Sequence, residues 1–275
     1  MRLGIDISQH QLTWEELLAR VRFAEDAGFE GAWVFDHFKA LYGDPYGPCF
    51  EGWTLLAGLA AGTEKIRLGA LVTGVTYRHP SILATEAVTV DHISDGRLEF
   101  GIGAAWFDQE HKELGVPFPS TGDRVRLLTE AIEVFKLLLT QDKVSFEGRF
   151  VKLDSATYRP RPVQKPHPPV WIGASGQRSM LPLAGRVADA WHSFGNPGTL
   201  SKRWEIVREA AEKAGRDPGQ ITRATNLSIS EGWDHVRRTA EGHRDAGIDY
   251  LIVSWPSEGR ARVEEFVTKI APDLA

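Results

Sequence analysis

The sequence predicts a closed (β/α)8 barrel, in which eight parallel strands are each followed by a helix. Short apolar runs alternate with longer helical patterns from one end of the 275-residue chain to the other. Strict alternation implies a parallel sheet with right-handed crossovers, and eight units in a chain of this length favour closure into a barrel. The alternative is an open doubly wound sheet. We find no domain boundary or internal repeat, and we therefore expect residues 1–275 to form one domain.

The predicted strands are short runs rich in apolar residues, from LGIDI near the N-terminus to DYLIVSW near the C-terminus. Runs of this length that are bounded by glycine, proline or polar residues are typical of buried strands. The eight predicted strands are 3–7, 31–35, 66–73, 97–103, 169–173, 188–194, 221–229 and 249–255.

Helical patterns separate these strands. In the first, TWEELLARVRFAEDAG, apolar residues from Trp14 to Ala24 recur at intervals of three or four and so share one face. Several of the patterns end in glycine, as helix C-termini often do. The predicted helices are 13–28, 51–62, 82–96, 123–139, 179–187, 199–215, 233–247 and 261–270.

The segment 142–168 interrupts the alternation. Its first part, VSFEGRFVKL, has the pattern of a β-hairpin around Glu147 and Gly148. Its second part, RPRPVQKPHPP, is rich in proline and leads into the fifth strand. We therefore predict an insertion that contains a hairpin before strand 5.

Composition excludes several classes of function. The chain is 42% apolar and 25% charged, and its formal net charge of −5 is spread without the basic stripe that nucleic-acid binding needs. Cys49 is the only cysteine, which excludes an internal disulfide and a cysteine-based zinc site, and we predict no metal. The opening MRLGIDIS has the pattern of a strand rather than a signal peptide, and no run of 18 apolar residues occurs. We expect a cytoplasmic protein that contacts no membrane.

Active sites in this architecture lie on the loops that follow the C-terminal ends of the strands. We therefore examine the loops after predicted strands 2, 3, 4, 5, 6 and 8. They are 36–38, 74–77, 104–109, 174–178, 195–197 and 255–256.

The loop Ala174-Ser175-Gly176-Gln177 is the best candidate for an anion site. A turn of small residues between a strand and a helix leaves unpaired backbone N–H groups directed at whatever lies there. A phosphate group suits that geometry. The alternative is that Ser175 simply caps the following helix.

Asp36 and His37 form a candidate acid–base pair in the loop after strand 2, although a single histidine is also commonly structural. Aromatic residues near the strand ends could line an apolar slot for a planar ligand, or could serve packing alone. These aromatic residues are Trp106, Phe107, Trp191 and Trp255.

Known catalytic and nucleotide-binding motifs are missing from the sequence. GIGAAW has two of the three glycines of the dinucleotide-binding fingerprint and none at the third position. The sequence also lacks a G-x-S-x-G elbow, an H-E-x-x-H pair and a phosphate-binding loop that ends in Gly-Lys-Ser/Thr. The stretch LVTGVTYRHPS is more informative, because Gly74 inside a strand pattern indicates a bulge or the close approach of a ligand.

Several segments resemble the bacterial-luciferase-like monooxygenase superfamily, and most of all its branch that depends on the deazaflavin coenzyme F420. The similarity runs from about residue 3 to beyond residue 250, and the block 66–138 is its most specific part. The similar segments are VFDHF (34–38), 65–138, FEGRFVKLD (146–154), 159–179 and RVADAWHSF (186–194).

The resemblance implies a barrel that binds a flavin or deazaflavin at its C-terminal mouth. It implies a bulge at Thr73, Gly74 and Val75 that backs the ring, with a non-prolyl cis peptide at Gly74–Val75. The matching positions further imply a phosphate cradle at Ala174, Ser175 and Gly176, ring contact at Asp36, cofactor contact at Gln109 and an active-site histidine at His37.

One departure from the family pattern bears on the substrate. Related deazaflavin-dependent dehydrogenases place a glutamate in the loop after strand 4, and Trp106 stands at the corresponding position here. This argues against glucose-6-phosphate as the substrate and favours an apolar or conjugated one that contacts Trp106. Asp108 and Glu110 are close in sequence, but spacing alone does not place either carboxylate beside a transferring proton.

We interpret the sequence as an F420-dependent oxidoreductase that transfers a hydride between the cofactor and a small organic substrate. His37 is the candidate proton donor or acceptor, because histidine titrates near neutral pH. The resemblance also implies a homodimer and a separate enzyme that reduces the cofactor.

Two other functions remain open. The first is an FMN-dependent monooxygenase that uses oxygen and reduced flavin from a separate reductase. The second is a barrel that has lost its catalytic site, against which the intact Asp36-His37, Gly74-Val75 and Ser175-Gly176 motifs argue.

Overall fold

The computed structural model describes residues 1–274 and contains the predicted closed barrel. Eight strand positions pair in parallel in the order β3-β2-β1-β11-β10-β9-β8-β5, and the pairing of β3 with β5 closes the ring. The strands are β1 (Arg2–Asp6), β2 (Gly31–Val34), β3 (Arg67–Ala70), β4 (Thr73–Gly74), β5 (Leu98–Gly103), β6 (Val144–Glu147), β7 (Lys152–Ala156), β8 (Val170–Gly173), β9 (Ala190–His192), β10 (Thr222–Leu227) and β11 (Tyr250–Ser254).

All eight predicted strands are confirmed, and the third is divided into β3 and β4. Leu71 and Val72 lie between the two pieces, and the non-prolyl cis peptide joins these two residues. The expected position at Gly74–Val75 is therefore wrong. Gly74 instead belongs to a regular parallel pairing of β4 with β5, in which Thr73 pairs with Ile102 and Gly74 with Gly103.

The eight predicted helices are also confirmed, and two short helices add to them. Helix 108–114, DQEHKEL, lies where the sequence predicts a loop. The helix was not predicted because its seven mostly polar residues show no apolar periodicity. The helices are α1 (Trp14–Asp26), α2 (Gly52–Ala61), α3 (Pro80–Ile93), α4 (Asp108–Leu114), α5 (Thr121–Thr140), α6 (Met180–Val187), α7 (Pro197–Lys213), α8 (Trp233–Asp245), α9 (Arg260–Lys269) and α10 (Ala271–Leu274).

The insertion before β8 folds as the predicted hairpin. Strands β6 and β7 pair in antiparallel fashion, with Glu147 opposite Lys152. The carboxylate of Glu130 on α5 accepts hydrogen bonds from the N–H groups of Arg149, Phe150 and Val151 at 2.8 to 2.9 Å. The hairpin turn is thereby fixed to the outer layer of the barrel.

The apolar core of the protein has two parts. Trp33, Trp171 and Tyr250 pack against one another inside the barrel, with the two indole rings 4.4 Å apart. The larger core lies between strands and helices, where Phe100 stacks on Phe135 at 3.9 Å. No helix within residues 1–274 is both long enough and apolar enough to span a bilayer.

Candidate active site

A cavity of about 550 Å³ lies at the C-terminal mouth of the barrel, where active sites of this fold are found. The ends of β2, β4, β5, β8 and β9 contribute to its lining. Eight of the ten predicted site residues line it, namely Asp36, His37, Thr73, Gly74, Trp106, Ala174, Ser175 and Gly176.

The other two predicted residues do not reach the cavity. Val75 is buried in the apolar core, and its N–H donates to the Gly103 carbonyl. Gln109 is exposed on α4, where its side-chain amide donates to Glu113 at 2.7 Å. The cavity therefore gives no support to the expected cofactor contact of either residue. For Gln109 the reason is the unpredicted helix, which directs residue 109 outward and residue 110 inward.

Val72 forms part of the cavity lining and is surrounded by glycines. A Cβ atom at Gly103 would lie 2.7 Å from Cγ2 of Val72, and one at Gly173 would lie 3.1 Å from it. Gly74 makes room in the same way, since a Cβ atom there would lie 2.6 Å from the Tyr77 ring. The glycine in the LVTG stretch is therefore required by a neighbouring side chain of the protein itself.

The side of the cavity formed by β2 and β4 contains Asp36, His37 and Tyr77, with Glu110 buried behind them; we call it the acidic wall. Glu110 accepts from His37 Nδ1 at 2.9 Å, from the Phe38 N–H at 2.8 Å and from the Tyr77 hydroxyl. Burial opposes its ionisation, but these three donors lower the pKa of Glu110 below its ordinary value.

An ionised Glu110 defines the tautomer of His37. Because the carboxylate can only accept, Nδ1 of His37 carries a hydrogen, and in the neutral ring Nε2 carries the lone pair. Nε2 makes no hydrogen bond to any residue in 1–274, and the ring lines the cavity. His37 thus presents a proton acceptor to the cavity, supported from behind by a carboxylate.

Asp36 is committed to the structure of the same wall. Its two oxygens receive Arg78 Nη1 at 2.8 Å and Arg78 Nη2 at 3.0 Å, and Oδ2 also accepts from the Gly74 N–H. Arg78 bonds Glu51 as well. Asp36 is therefore not the acid–base partner of His37, and it connects the loop after β2 to β4.

The side formed by β8, β9 and the loops around them contains the segment 174–179 with Arg124 and Arg203; we call it the cationic wall. The backbone N–H groups of residues 175–179 donate to no acceptor within 1–274. Helix α6 begins at Met180, and its N-cap is Ser179, without a side-chain hydrogen bond. The alternative in which Ser175 caps the helix is therefore wrong, and the amides of Ser175, Gly176 and Ser179, which line the cavity, are available to an anion.

The two arginines of this wall that line the cavity, Arg124 and Arg203, lack an acidic partner among the described residues. Arg203 donates to Ser193 Oγ at 2.9 Å and to the Phe194 carbonyl at 2.6 Å. Arg124 is only 8% exposed and donates to the carbonyls of Ala104 and Pro119. Buried or partly buried cations normally have a counter-ion, so this wall is suited to an anionic ligand.

Two aromatic side chains on the cavity lining are largely exposed, Trp106 at 64% and Phe194 at 68%. Trp106 stacks on Phe107 at 5.1 Å and contacts His37 edge-on at 5.7 Å. Trp191 is instead fully buried, with its indole N–H on the Ala174 carbonyl, and Trp255 packs against Phe23. The structure thus places Trp106 and Phe194 on the cavity and the two other tryptophans outside it.

The sequence did not single out Tyr77, Arg124, Arg203 or the role of Glu110. Phe194 and His192 close the predicted sixth strand, ADAWHSF, so their position at a strand end was a usable signal. No group of three His, Cys, Asp or Glu side chains in residues 1–274 is arranged to hold a metal ion.

Taken together, the closed parallel barrel and the cavity at its C-terminal mouth, with a histidine–carboxylate pair opposite an anion cradle, define a (β/α)8-barrel protein with an enzyme-type site. The chain belongs to the luciferase-like monooxygenase family, whose sequence profile matches residues 1–253.

Named relatives in this family differ in cofactor. An F420-dependent glucose-6-phosphate dehydrogenase of Kineococcus radiotolerans is 31% identical over 235 residues, which cover 84% of this chain and 68% of that protein. An FMNH2-dependent dimethylsulfone monooxygenase of Pseudomonas putida is 33% identical over 175 residues, which cover 64% of this chain and 47% of that protein.

Solved structures share the fold over the whole chain. An F420-dependent secondary alcohol dehydrogenase, in complex with an F420–acetone adduct, superposes with a TM-score of 0.87 at 21% identity and covers 100% of this chain and 99% of that one. The F420-dependent tetrahydromethanopterin reductase of Methanopyrus kandleri gives a TM-score of 0.86 at 21% identity, with the same coverage.

Proposed function

We propose that this protein is an F420-dependent oxidoreductase that transfers a hydride between the deazaflavin and a small organic substrate. The observation that carries the proposal is the pairing of His37 with Glu110 opposite the cationic wall in one cavity. The F420-dependent relative that covers 84% of the chain supports the choice of cofactor. The F420-dependent alcohol dehydrogenase and reductase have the same fold.

The cationic wall fits the phosphate of such a cofactor. The free amides of Ser175, Gly176 and Ser179 supply hydrogen-bond donors, and Arg124 and Arg203, which have no carboxylate partner among the described residues, supply positive charge. We propose that Ala174, Ser175 and Gly176 hold the phosphate with Arg203, and that Thr73 and Gly74 lie along the ring with Val72 beneath it.

When bound, the deazaflavin supplies the hydride donor or acceptor. The chain supplies the proton. If an alcohol is oxidised, its hydroxyl proton moves to Nε2 of His37 as the hydride leaves the carbon, and the ionised Glu110 at Nδ1 stabilises the imidazolium that results. In the reverse direction the same nitrogen returns the proton to the carbonyl oxygen.

We propose an apolar or conjugated substrate rather than glucose-6-phosphate, the substrate in the name of several relatives. The exposed rings of Trp106 and Phe194 on the cavity support this choice, because aromatic surfaces bind planar apolar groups. Related dehydrogenases have a glutamate at the position of Trp106. Glu110 does not take over the direct contact of that glutamate with the substrate, because it acts through His37.

The second candidate is an FMN-dependent monooxygenase, supported by the similarity to the FMNH2-dependent relative. The same cradle accepts the phosphate of either cofactor. Titration of the purified protein with coenzyme F420 and separately with FMN, followed by cofactor fluorescence, distinguishes the two. Micromolar binding of the deazaflavin with no oxygen consumed during turnover is expected, and preference for FMN with oxygen consumption would contradict the proposal.

We also propose that residues 1–275 act as one domain in the cytoplasm, that the protein forms a homodimer and that a separate enzyme reduces its cofactor. Ile82 and Ile93 on α3 are exposed and support a partner surface on that helix. Light scattering at tens of micromolar protein tests the dimer, and a monomeric mass would contradict it.

A further inference from the structure

His192 is a second histidine of the cavity, and no role described above uses it. It is the last residue of β9, and its side chain lines the cavity while the residue is only 3% exposed. Its carbonyl accepts the N–H of Ala174, and it pairs in register with Gly173. His192 therefore lies directly beside the start of the anion cradle, on the opposite side of the barrel from β2 and His37.

The hydrogen bonds around His192 define its tautomer. Nε2 lies 2.7 Å from Oδ1 of Asn226, and the amide nitrogen of Asn226 faces Ser254 Oγ at 3.4 Å. With Oδ1 as the acceptor, Nε2 carries the hydrogen and Nδ1 carries a lone pair. Burial lowers the pKa of His192 to about 4, so the ring is neutral at physiological pH.

The lone pair of Nδ1 has no donor within residues 1–274. Other buried histidines differ: His111 uses both ring nitrogens, on Phe107 and Thr76, and Nδ1 of His243 is sealed in the interior without a partner. Nδ1 of His192 is not sealed in this way, and the ring lines the cavity. The edge contact with Phe194 at 4.8 Å further fixes the ring. A neutral, fixed acceptor thus faces the ligand space.

We infer that Nδ1 of His192 accepts a hydrogen bond from a hydroxyl of the polyol chain that joins ring and phosphate in a flavin-type cofactor. The inference rests on the proposed function, since both FMN and F420 carry such a chain. A phosphate oxygen would be repelled by the lone pair, so the anion belongs on the amides of 175–179. The group next to the cradle must then be a neutral donor, and the polyol hydroxyls are the donors nearest to the phosphate in both cofactors.

The test compares two ligands on four proteins. One ligand carries the ribityl phosphate side chain and the other an unsubstituted pentyl phosphate on the same ring, in the deazaflavin or the flavin series, whichever the wild type binds. The proteins are the wild type, His192→Leu, His192→Asn and the control His243→Asn, which changes an equally buried histidine outside the cavity. Dissociation constants come from ring fluorescence, and thermal melting verifies that each variant is folded.

We expect His192→Leu to weaken binding of the ribityl ligand about three- to tenfold, the range for one neutral hydrogen bond, and to leave binding of the pentyl ligand unchanged. His192→Asn places an amide oxygen near the position of Nδ1 and retains most of the affinity, which keeps the test valid if the leucine variant does not fold. His243→Asn changes neither constant.

Equal weakening of both ligands, or no weakening of either, would overturn the inference and leave the proposed function intact. Failure of the wild type to bind either ligand in either ring series would overturn the proposed function and this inference with it. The two failures are distinguishable because failure of the proposed function is observed with the wild type, whereas failure of this inference is observed only by comparing the variants with a wild type that binds.

Discussion

The acidic and cationic walls of the cavity differ in how completely the protein satisfies its own polar groups. On the acidic wall, Glu110 accepts three hydrogen bonds. Asp36 accepts hydrogen bonds from Nη1 and Nη2 of Arg78 and from the Gly74 N–H. On the cationic wall, the amides of Ser175, Gly176 and Ser179 and the side chains of Arg124 and Arg203 have no carboxylate partner among the described residues. The carboxylates of the acidic wall are therefore paired with donors within the protein, whereas the charges of the arginines on the cationic wall are not neutralised there.

The difference indicates different tasks. A proton-transfer group works best when its tautomer and orientation are fixed before the substrate arrives, as Glu110 fixes His37. An anion-binding wall loses affinity if it is neutralised internally, because the ligand must then displace that partner. We therefore expect substitutions on the acidic wall to reduce turnover and substitutions on the cationic wall to reduce cofactor affinity.

Replacement of His37 by alanine should have the largest effect. Loss of a positioned acid–base group lowers kcat by about 10²- to 10⁴-fold, whereas the dissociation constant of F420 should change less than about threefold, below 1 kcal/mol. Turnover and fluorescence titration measure the two quantities. His235→Ala, on the exposed surface of α8, is the control and should change neither. Similar losses of turnover and affinity would mean that His37 only shapes the cavity.

Replacement of Glu110 by glutamine should reduce kcat less than loss of His37, because the imidazole remains but its positive form is no longer stabilised. The pKa of Glu110 is lowered in the folded protein, so its ionised form stabilises the fold above the ordinary carboxylate pKa. That contribution is lost as the pH falls through the lowered pKa.

Urea unfolding of wild type and Glu110→Gln at several pH values measures this contribution. The wild type should be more stable by about 1.5 to 3 kcal/mol at pH 7, the range for hydrogen bonds to a charged group. The difference should shrink below pH 4. A difference that is constant with pH would show that Glu110 is not ionised in the folded protein.

The sequence could predict the positions of the walls but not their contents. Apolar periodicity gave the strands and helices, and the barrel rule then placed the loops after strands 2, 3, 4 and 5 at one mouth. His37 and Ser175, which line the cavity, were selected as candidates in this way. Glu110 could not be assigned because it is 73 residues from His37 in the sequence. It also lies on a helix without apolar periodicity, so the sequence did not show that Glu110 points inward while the adjacent Gln109 points outward.

The two arginines could not be assigned for a different reason. Their distinguishing property is the lack of an acid nearby, and a sequence does not show which acids lie close in space. Arg203 and Arg208 lie five residues apart on α7, but Arg208 bonds Glu205 and Glu212 at 2.8 and 2.7 Å and Arg203 bonds neither. Val75 lies away from the cavity because its N–H extends the β4–β5 pairing to the Gly103 carbonyl and its side chain packs in the apolar core.

Arg203, which belongs to the cationic wall, and Arg208, which does not, provide a matched test of that wall. Arg203→Met should weaken binding of FMN or F420 about ten- to a hundredfold, since charge-assisted hydrogen bonds contribute about 1.5 to 3 kcal/mol. Riboflavin, which lacks the phosphate, should lose little, and Arg208→Met should leave all affinities unchanged. An equal loss for riboflavin and FMN would place Arg203 on the ring or polyol rather than on the phosphate.

The smallest effect should come from Trp106, which belongs to neither wall and tests whether the substrate is distinct from the cofactor. Its ring is 64% exposed, so Trp106→Ala should leave the folded state and the cofactor affinity nearly unchanged. Loss of one aromatic contact should raise KM for a conjugated carbonyl about two- to tenfold and leave KM for a small aliphatic alcohol unchanged. Leu114→Ala, which removes another exposed apolar side chain outside the cavity, is the control. A rise in KM for both substrates, or weaker cofactor binding, would place Trp106 against the cofactor and remove the basis for a conjugated substrate.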